Sequence, residues 1–151
     1  MGRCAAMRLA PHSFNVSYTN MTYRINDKEV DNVLSLDGQE RYKHFVKRVA
    51  DWEEVWGLRN NDGWVTSENN EGEESIPFWP HPEYAHRCAT GQWEGNQPTP
   101  IDLESFIEEW LPGLEGDAML VAVFPTPEGK SVHVQPSVLL ESLKEELTQY
   151  E

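Results

Sequence analysis

Seven consecutive apolar residues, Ala118 to Phe124, form the longest such run in the chain and restrict its fold more than any other feature. The run is far too short to cross a bilayer, which takes about 20 residues. It is apolar at both alternating positions, so as a strand it must be covered on both faces or lie at the middle of a sheet. Neighbours for it can be read nearby. Pro127 to Lys130 turns the chain and Ser131 to Val134 returns as a partner strand. Glu54 to Arg59, the turn Asn60 to Gly63 and the return Trp64 to Ser67 form a hairpin, because Asp-Gly between two β-prone runs favours one. Trp56 and Trp64 are expected to face each other across it. Ile76 to Trp79 is also β-like, and Pro98 with Pro100 limits Gly95 to Ile101 to an edge strand or an extended loop.

The covering layer is helical. Asn26 caps a short helix through Leu34, with Asp27 and Glu29 in the turn where the dipole favours acids. Gly38 to Trp52 follows, its Tyr42, Phe45, Val46 and Val49 spaced i, i+3, i+4, i+7; Arg41, Lys43, Lys47 and Arg48 take other positions as the chain's one basic patch, and His44 faces away from the stripe. Pro80 and Pro82 flank the start of a helix from Glu83 to about Thr90. Asp102 caps a longer one bearing Leu103, Phe106, Ile107, Trp110 and Leu111, which Pro112 and Gly113 should end. Pro136 opens a last helix carrying Val138, Leu140, Leu143 and Leu147. Strands joined by short turns, with helices before, between and after them, predict an α+β fold: a mainly antiparallel sheet with helices packed against it, in a single domain over residues 21–151. Residues 1–20 differ, holding Arg3 and Arg8 but no acid and no periodicity. They read as a disordered or non-native leader ahead of Met21, and without a continuous apolar stretch they make a poor signal peptide.

Charge is zoned along the chain. Residues 60–151 hold three Lys or Arg against eighteen Asp or Glu, a net −15 in a chain whose total is −14. Such a field repels nucleic acid and anionic membranes and favours a basic protein partner. Glu68, Glu71, Glu73 and Glu74 concentrate it in one loop. The loop lacks the alternating spacing that preorganises a Ca²⁺ site, so it reads as a solvated loop or a recognition loop for a basic partner. Trp79 and Trp93 lie in nearby Pro- and Gly-rich segments, where an aromatic can line a groove, and interfaces centre on such residues. Together these six residues are the expected partner-binding surface.

Catalytic signals are weak. His81 and His86, with Glu83, come nearest to a ligand set, but their five-residue spacing does not align two ligands on one helix face, so no metal or other cofactor is predicted. With Trp79 and Trp93 the two histidines are the alternative reading, a ligand pocket between helices and sheet. No serine lies in a nucleophile elbow, and adjacent Glu108 and Glu109 diverge around their helix. Cys4 and Cys88 form no pair of metal or disulfide type. That usage fits a reducing cytoplasm, with Cys88 a small buried hydrophobe.

Several landmarks recur in one order: Val55-Trp56-Gly57-Leu58, Gly63-Trp64, Pro77-Phe78-Trp79-Pro80, Trp93-Glu94, Phe106, Trp110-Leu111-Pro112-Gly113-Leu114 and Val123-Phe124-Pro125-Thr126-Pro127. In these the chain, from about Met21 to Leu147, resembles a family of small bacterial proteins known as domain of unknown function 2750, which implies no activity. In size, charge and style it also looks like the immunity proteins with which bacteria neutralise toxins. The expectation is therefore a non-catalytic protein-binding module, plausible as an inhibitor of a basic effector. The alternatives are the Trp/His ligand pocket and a mimic of nucleic acid.

Overall fold

The computed structural model describes residues 25–68 and 71–150, so the reading of residues 1–20 as a leader lies outside the described residues. Helix α1 (Asp27–Leu34) is capped by Asn26, whose Oδ1 accepts the Glu29 N–H at 2.8 Å; Asp37 caps α2 (Gly38–Trp52) through the Glu40 N–H at the same distance. On α2, Phe45, Val46 and Val49 are buried as their spacing predicts. Arg41 is buried with them, only 2% exposed, and so leaves the surface patch assigned to it by sequence. Of the remaining patch, Arg48 pairs with Glu29 on α1 and Lys43 with Glu40, both at 3.9 Å, so these bases are answered by acids of their own segment rather than by those of residues 60–151.

Strand β1 (Glu54–Asn60) pairs antiparallel with β2 (Gly63–Trp64) and with β5 (Gln97–Asp102) in the order β2-β1-β5. β5 is an edge strand, where Pro98 and Pro100 interrupt no second ladder. A four-stranded sheet runs β3 (Ser67–Glu68), β4 (Glu74–Phe78), β6 (Leu120–Val123), β7 (Val132–Val134) in the order β3-β4-β6-β7. The apolar run thus lies inside a sheet, and Val121, Ala122 and Val123 are buried. Among the described residues β4 and β6 form the one parallel pair, Ser75↔Leu120 through Phe78↔Val123. The two sheets meet where Trp56 and Trp79 exchange backbone hydrogen bonds, each 2.8 Å.

That meeting corrects the hairpin reading. Trp64 lies opposite Arg59, its ring 5.0 Å from Trp110 and nearly perpendicular to it, while Trp56 bridges to Trp79. Positions 56 and 64 fall on opposite faces of this ladder, because the return strand is only two residues long and its register sets 59 against 64.

Three helices follow: α3 (Pro82–Cys88), α4 (residues 103–116) and α5 (Pro136–Leu147). Asp102 caps α4 as expected, its Oδ2 accepting the Ser105 N–H at 3.0 Å. The helix does not stop at Pro112 and Gly113 but continues to Gly116. In a regular helix Pro112 has no N–H to donate and its ring presses on the carbonyl one turn back. A π turn over Phe106–Trp110, in which the Leu111 N–H reaches Phe106 O, loosens the helix just ahead of the proline. On α5 the buried residues are Leu139 and Leu143; Val138 is 48% exposed, which corrects the stripe that included it. The core is aromatic at its centre. Phe78 packs edge-on against Phe106 at 4.9 Å and Trp110 at 5.8 Å, and Tyr84 against Phe124 at 4.7 Å.

Candidate functional site

The acidic segment is the tip of a hairpin. β3 and β4 pair as Ser67↔Ser75 and Glu68↔Glu74, with Gly72 at φ 83° in the turn, a backbone state glycine adopts freely. This register sets Glu68 directly opposite Glu74. Glu71 and Glu73 are exposed at the tip and Glu74 is half-buried.

The hairpin's base opens onto a cleft of about 330 Å³ whose wall includes Ser67, Ser75, Cys88, Trp93, Thr126 and His133. Trp93, in a 3₁₀ turn (Gly91–Trp93), is half-buried and stands edge-on to Trp79 at 6.1 Å. Trp93 lines this cleft together with Ser67 and Ser75, at the base of the acidic hairpin. The groove reading of Trp79 is corrected: it is 0% exposed and forms core, so it cannot present a surface. Its role is to hold the next loop: its Nε1–H donates to Pro125 O at 2.9 Å, and the Cys88 thiol donates to the same oxygen at 3.3 Å.

The histidine pair does not converge. His81 is buried, and its Nδ1 accepts the Glu83 N–H at 3.0 Å as the cap of α3, while His86 is exposed on the helix. The reason is local: His81 precedes Pro82 at the first helical position and is consumed by capping. Neither histidine lines the cleft; His133 does, from the exposed side of β7. Cys88 is buried as expected, and burial pushes its thiol up to about 11 against a smaller opposing effect of the Trp79 hydrogen bond. Among the described residues no three His, Cys, Asp or Glu side chains are placed to hold a metal, and no helix is long and apolar enough to cross a membrane.

Sequence reasoning missed the loop between β6 and β7. Phe124, at φ 55°, is a bulky residue in the left-handed region, a conformation that costs about 1–3 kcal/mol and persists only where neighbours enforce it. Here the Phe124 N–H bonds Phe78 O at 2.9 Å, Arg41 Nε donates to Phe124 O at 3.3 Å, and the Tyr84 ring packs on the phenyl. Thr126 then closes the turn, its N–H donating to Lys130 O at 2.8 Å and its Oγ1 accepting the Lys130 N–H at 3.1 Å. The signal was present as Phe124-Pro125-Thr126-Pro127 directly after the central strand, but nothing in the sequence says which distant donors will fasten it.

No curated protein and no solved structure matches the chain. A family model described as "Protein of unknown function (DUF2750)" matches residues 42–143, which takes in the hairpin, the cleft and the fastened loop. That match covers well over half of the sequence, and the chain belongs to this family.

Proposed function

We propose that the protein is a non-catalytic binding module that docks a basic segment of another protein on the β3–β4 hairpin and the cleft at its base. The observation that carries this reading is the pair of exposed glutamates, Glu71 and Glu73, at the tip of a hairpin whose base shares a cleft with Trp93. A concentration of like charge at such a tip draws a cationic segment toward it. An aromatic wall next to the charges supplies an anchor, while opposite charge speeds encounter. The chemistry of Cys88 supports the same side: a thiol driven up to about 11 and donating to a carbonyl is the reverse of an activated nucleophile. The finer form of the proposal is inhibition of a basic effector by occlusion.

Pull-downs with the wild type, the charge-reversed Glu71→Lys/Glu73→Lys/Glu74→Lys variant and Trp93→Ala test it. A basic protein retained by the wild type at low salt should be lost from both variants, with thermal unfolding confirming that each remains folded. Equal recovery of every partner by all three folded proteins would sink the proposal.

A further inference from the structure

On the other side of the Pro125–Lys130 loop lies a second concavity, of about 520 Å³, with a different character. Its wall includes Arg41, Arg87 and Lys130, with Asp31, Glu128 and Thr126. Three cations and two carboxylates line it, so bases are concentrated here in a chain of net −14. Residues 60–151 contain only Arg87, Lys130 and Lys144 as bases, and two of those three come here.

The cations are not equivalent. Arg87 is satisfied by carboxylates, with Nε on Glu83 at 3.3 Å, Nη1 on Asp31 at 3.3 Å and Nη2 on Asp27 at 3.1 Å. Arg41 is not. It is 2% exposed, and its Nε and Nη1 donate to the carbonyls of Phe124 and Leu36 at 3.3 and 2.8 Å. Among the described residues no carboxylate forms an ion pair with it. Asp37 acts on it only through space, and the Asp37 carboxylate is engaged as the cap of α2. A guanidinium cannot shed its proton as a buried lysine can, so burial without a counter-charge has to be offset some other way. Two neutral carbonyls and the through-space charge of Asp37 offset that burial only in part.

We propose that this concavity is a binding site for a small oxyanion, a phosphate- or carboxylate-bearing molecule that lies on the guanidinium of Arg41 with Lys130 as second cation and the Thr126 hydroxyl as a further donor. With Nε and one Nη1 hydrogen held by carbonyls, Arg41 offers an oxyanion its Nη1/Nη2 edge, and Arg87, tied down by three acids, serves as a fixed wall. Asp31 and Glu128 restrict the ligand to one that concentrates its negative charge at one end. The strained backbone of Phe124 fits the same purpose, since it turns that residue's carbonyl to the guanidinium and so fixes its orientation.

The test is a titration of the full chain, at constant ionic strength, with inorganic phosphate and separately with succinate, against a chloride control. Amide and Arg41 Nε–H shifts in ¹H–¹⁵N spectra and the thermal midpoint are followed up to roughly 50 mM, the range in which weak single-site binding saturates. Saturable shifts at Leu36, Thr126, Lys130 and Arg41 are expected with at least one probe. A response to phosphate alone assigns a phosphate ligand, to succinate alone a carboxylate, and to both a site for either. Lys130→Glu, an exposed position, should stay folded and weaken binding by about fivefold or more. No saturable response beyond chloride, or a response that Lys130→Glu leaves unchanged, overturns the proposal.

Discussion

Replacing His44 with phenylalanine should remove a defined part of the protein's sensitivity to acid. Sequence placed this residue away from the apolar stripe of α2, yet it is half-buried, its ring 6.0 Å from that of Phe124, and its Nε2 is buried with no hydrogen-bond partner in the described structure. Burial first, and the charge of Arg48 second, lower its pKa from 6.5 to about 4. A histidine depressed in the folded state favours folding fully only above its unfolded pKa, and that stability is lost as pH falls from 6.5 toward 4. Integrated from pH 7.5 to 5.0, the linkage amounts to about 2 kcal/mol, and partial solvent access reduces it to about 1–2 kcal/mol. For a chain of this size that is roughly 2–8 °C in thermal midpoint. Protonation of carboxylates contributes over the same range, so the measurement is a difference. Urea unfolding of wild type and His44→Phe at both pH values should show the variant losing about 1–2 kcal/mol less on acidification. At pH 7.5 the variant should be no less stable, since an unpaired buried nitrogen is replaced by carbon. Identical acid losses in the two proteins would refute the assignment, as would an NMR titration of the His44 ring near 6.5.

Three further outcomes follow from packing. Trp79→Phe removes a fully buried indole and its bond to Pro125 O, and should cost about 2–4 kcal/mol in urea unfolding. A loss confined to binding, with stability intact, would restore Trp79 to the surface. On α5, Leu139→Ala should cost about 2–5 kcal/mol and Val138→Ala less than about 0.5 kcal/mol, because only the first is buried. Cys88 should react with thiol reagents only as fast as the protein opens, and its rate should rise sharply in denaturant, because the folded thiol is buried with its pKa at about 11.

Where the chain signals its structure locally, sequence and fold agree. Side-chain caps at Asn26, Asp37 and Asp102 start three helices at the expected residues, and the all-apolar run from Ala118 becomes the interior strand β6. Disagreements arise where a distant partner decides. Pro112 is a helix breaker by propensity, and only a π turn supplied by the preceding residues lets α4 pass through it. Trp79 reads as a groove residue by its proline neighbours, but it bridges to Trp56 where the two sheets meet and is fully buried. Arg41 occupies a polar position of its helix, and its burial depends on carbonyls of Leu36 and Phe124, the latter 83 positions away in sequence. Of the predicted site, Trp93 reaches the base of the acidic hairpin through the cleft it shares with Ser67 and Ser75; the histidines part because one of them becomes a cap.

Seen in three dimensions, the charge zoning of the sequence becomes a separation between two faces of one loop. Folding carries Arg41 out of the balanced segment to join Arg87 and Lys130, while the base of the acidic hairpin, Ser67 and Ser75, lines the other concavity. Thr126 and Pro127 line both concavities, so an anion on one side could in principle alter a partner on the other. The loop's fastening argues for weak coupling. Pro125 O is held by Trp79 and Cys88, Phe124 O by Arg41, and the turn is closed on itself through Thr126 and Lys130. A segment pinned by that many donors has little second conformation to populate, and coupling between sites requires one. Saturating oxyanion should therefore shift the affinity for a basic partner by less than about 0.5 kcal/mol once ionic strength is matched. Calorimetric titration of a partner with and without the anion measures this. A shift larger than about 1.4 kcal/mol, a factor of ten, would mean that the loop is a two-state element and that its three anchors are not simultaneously made in solution.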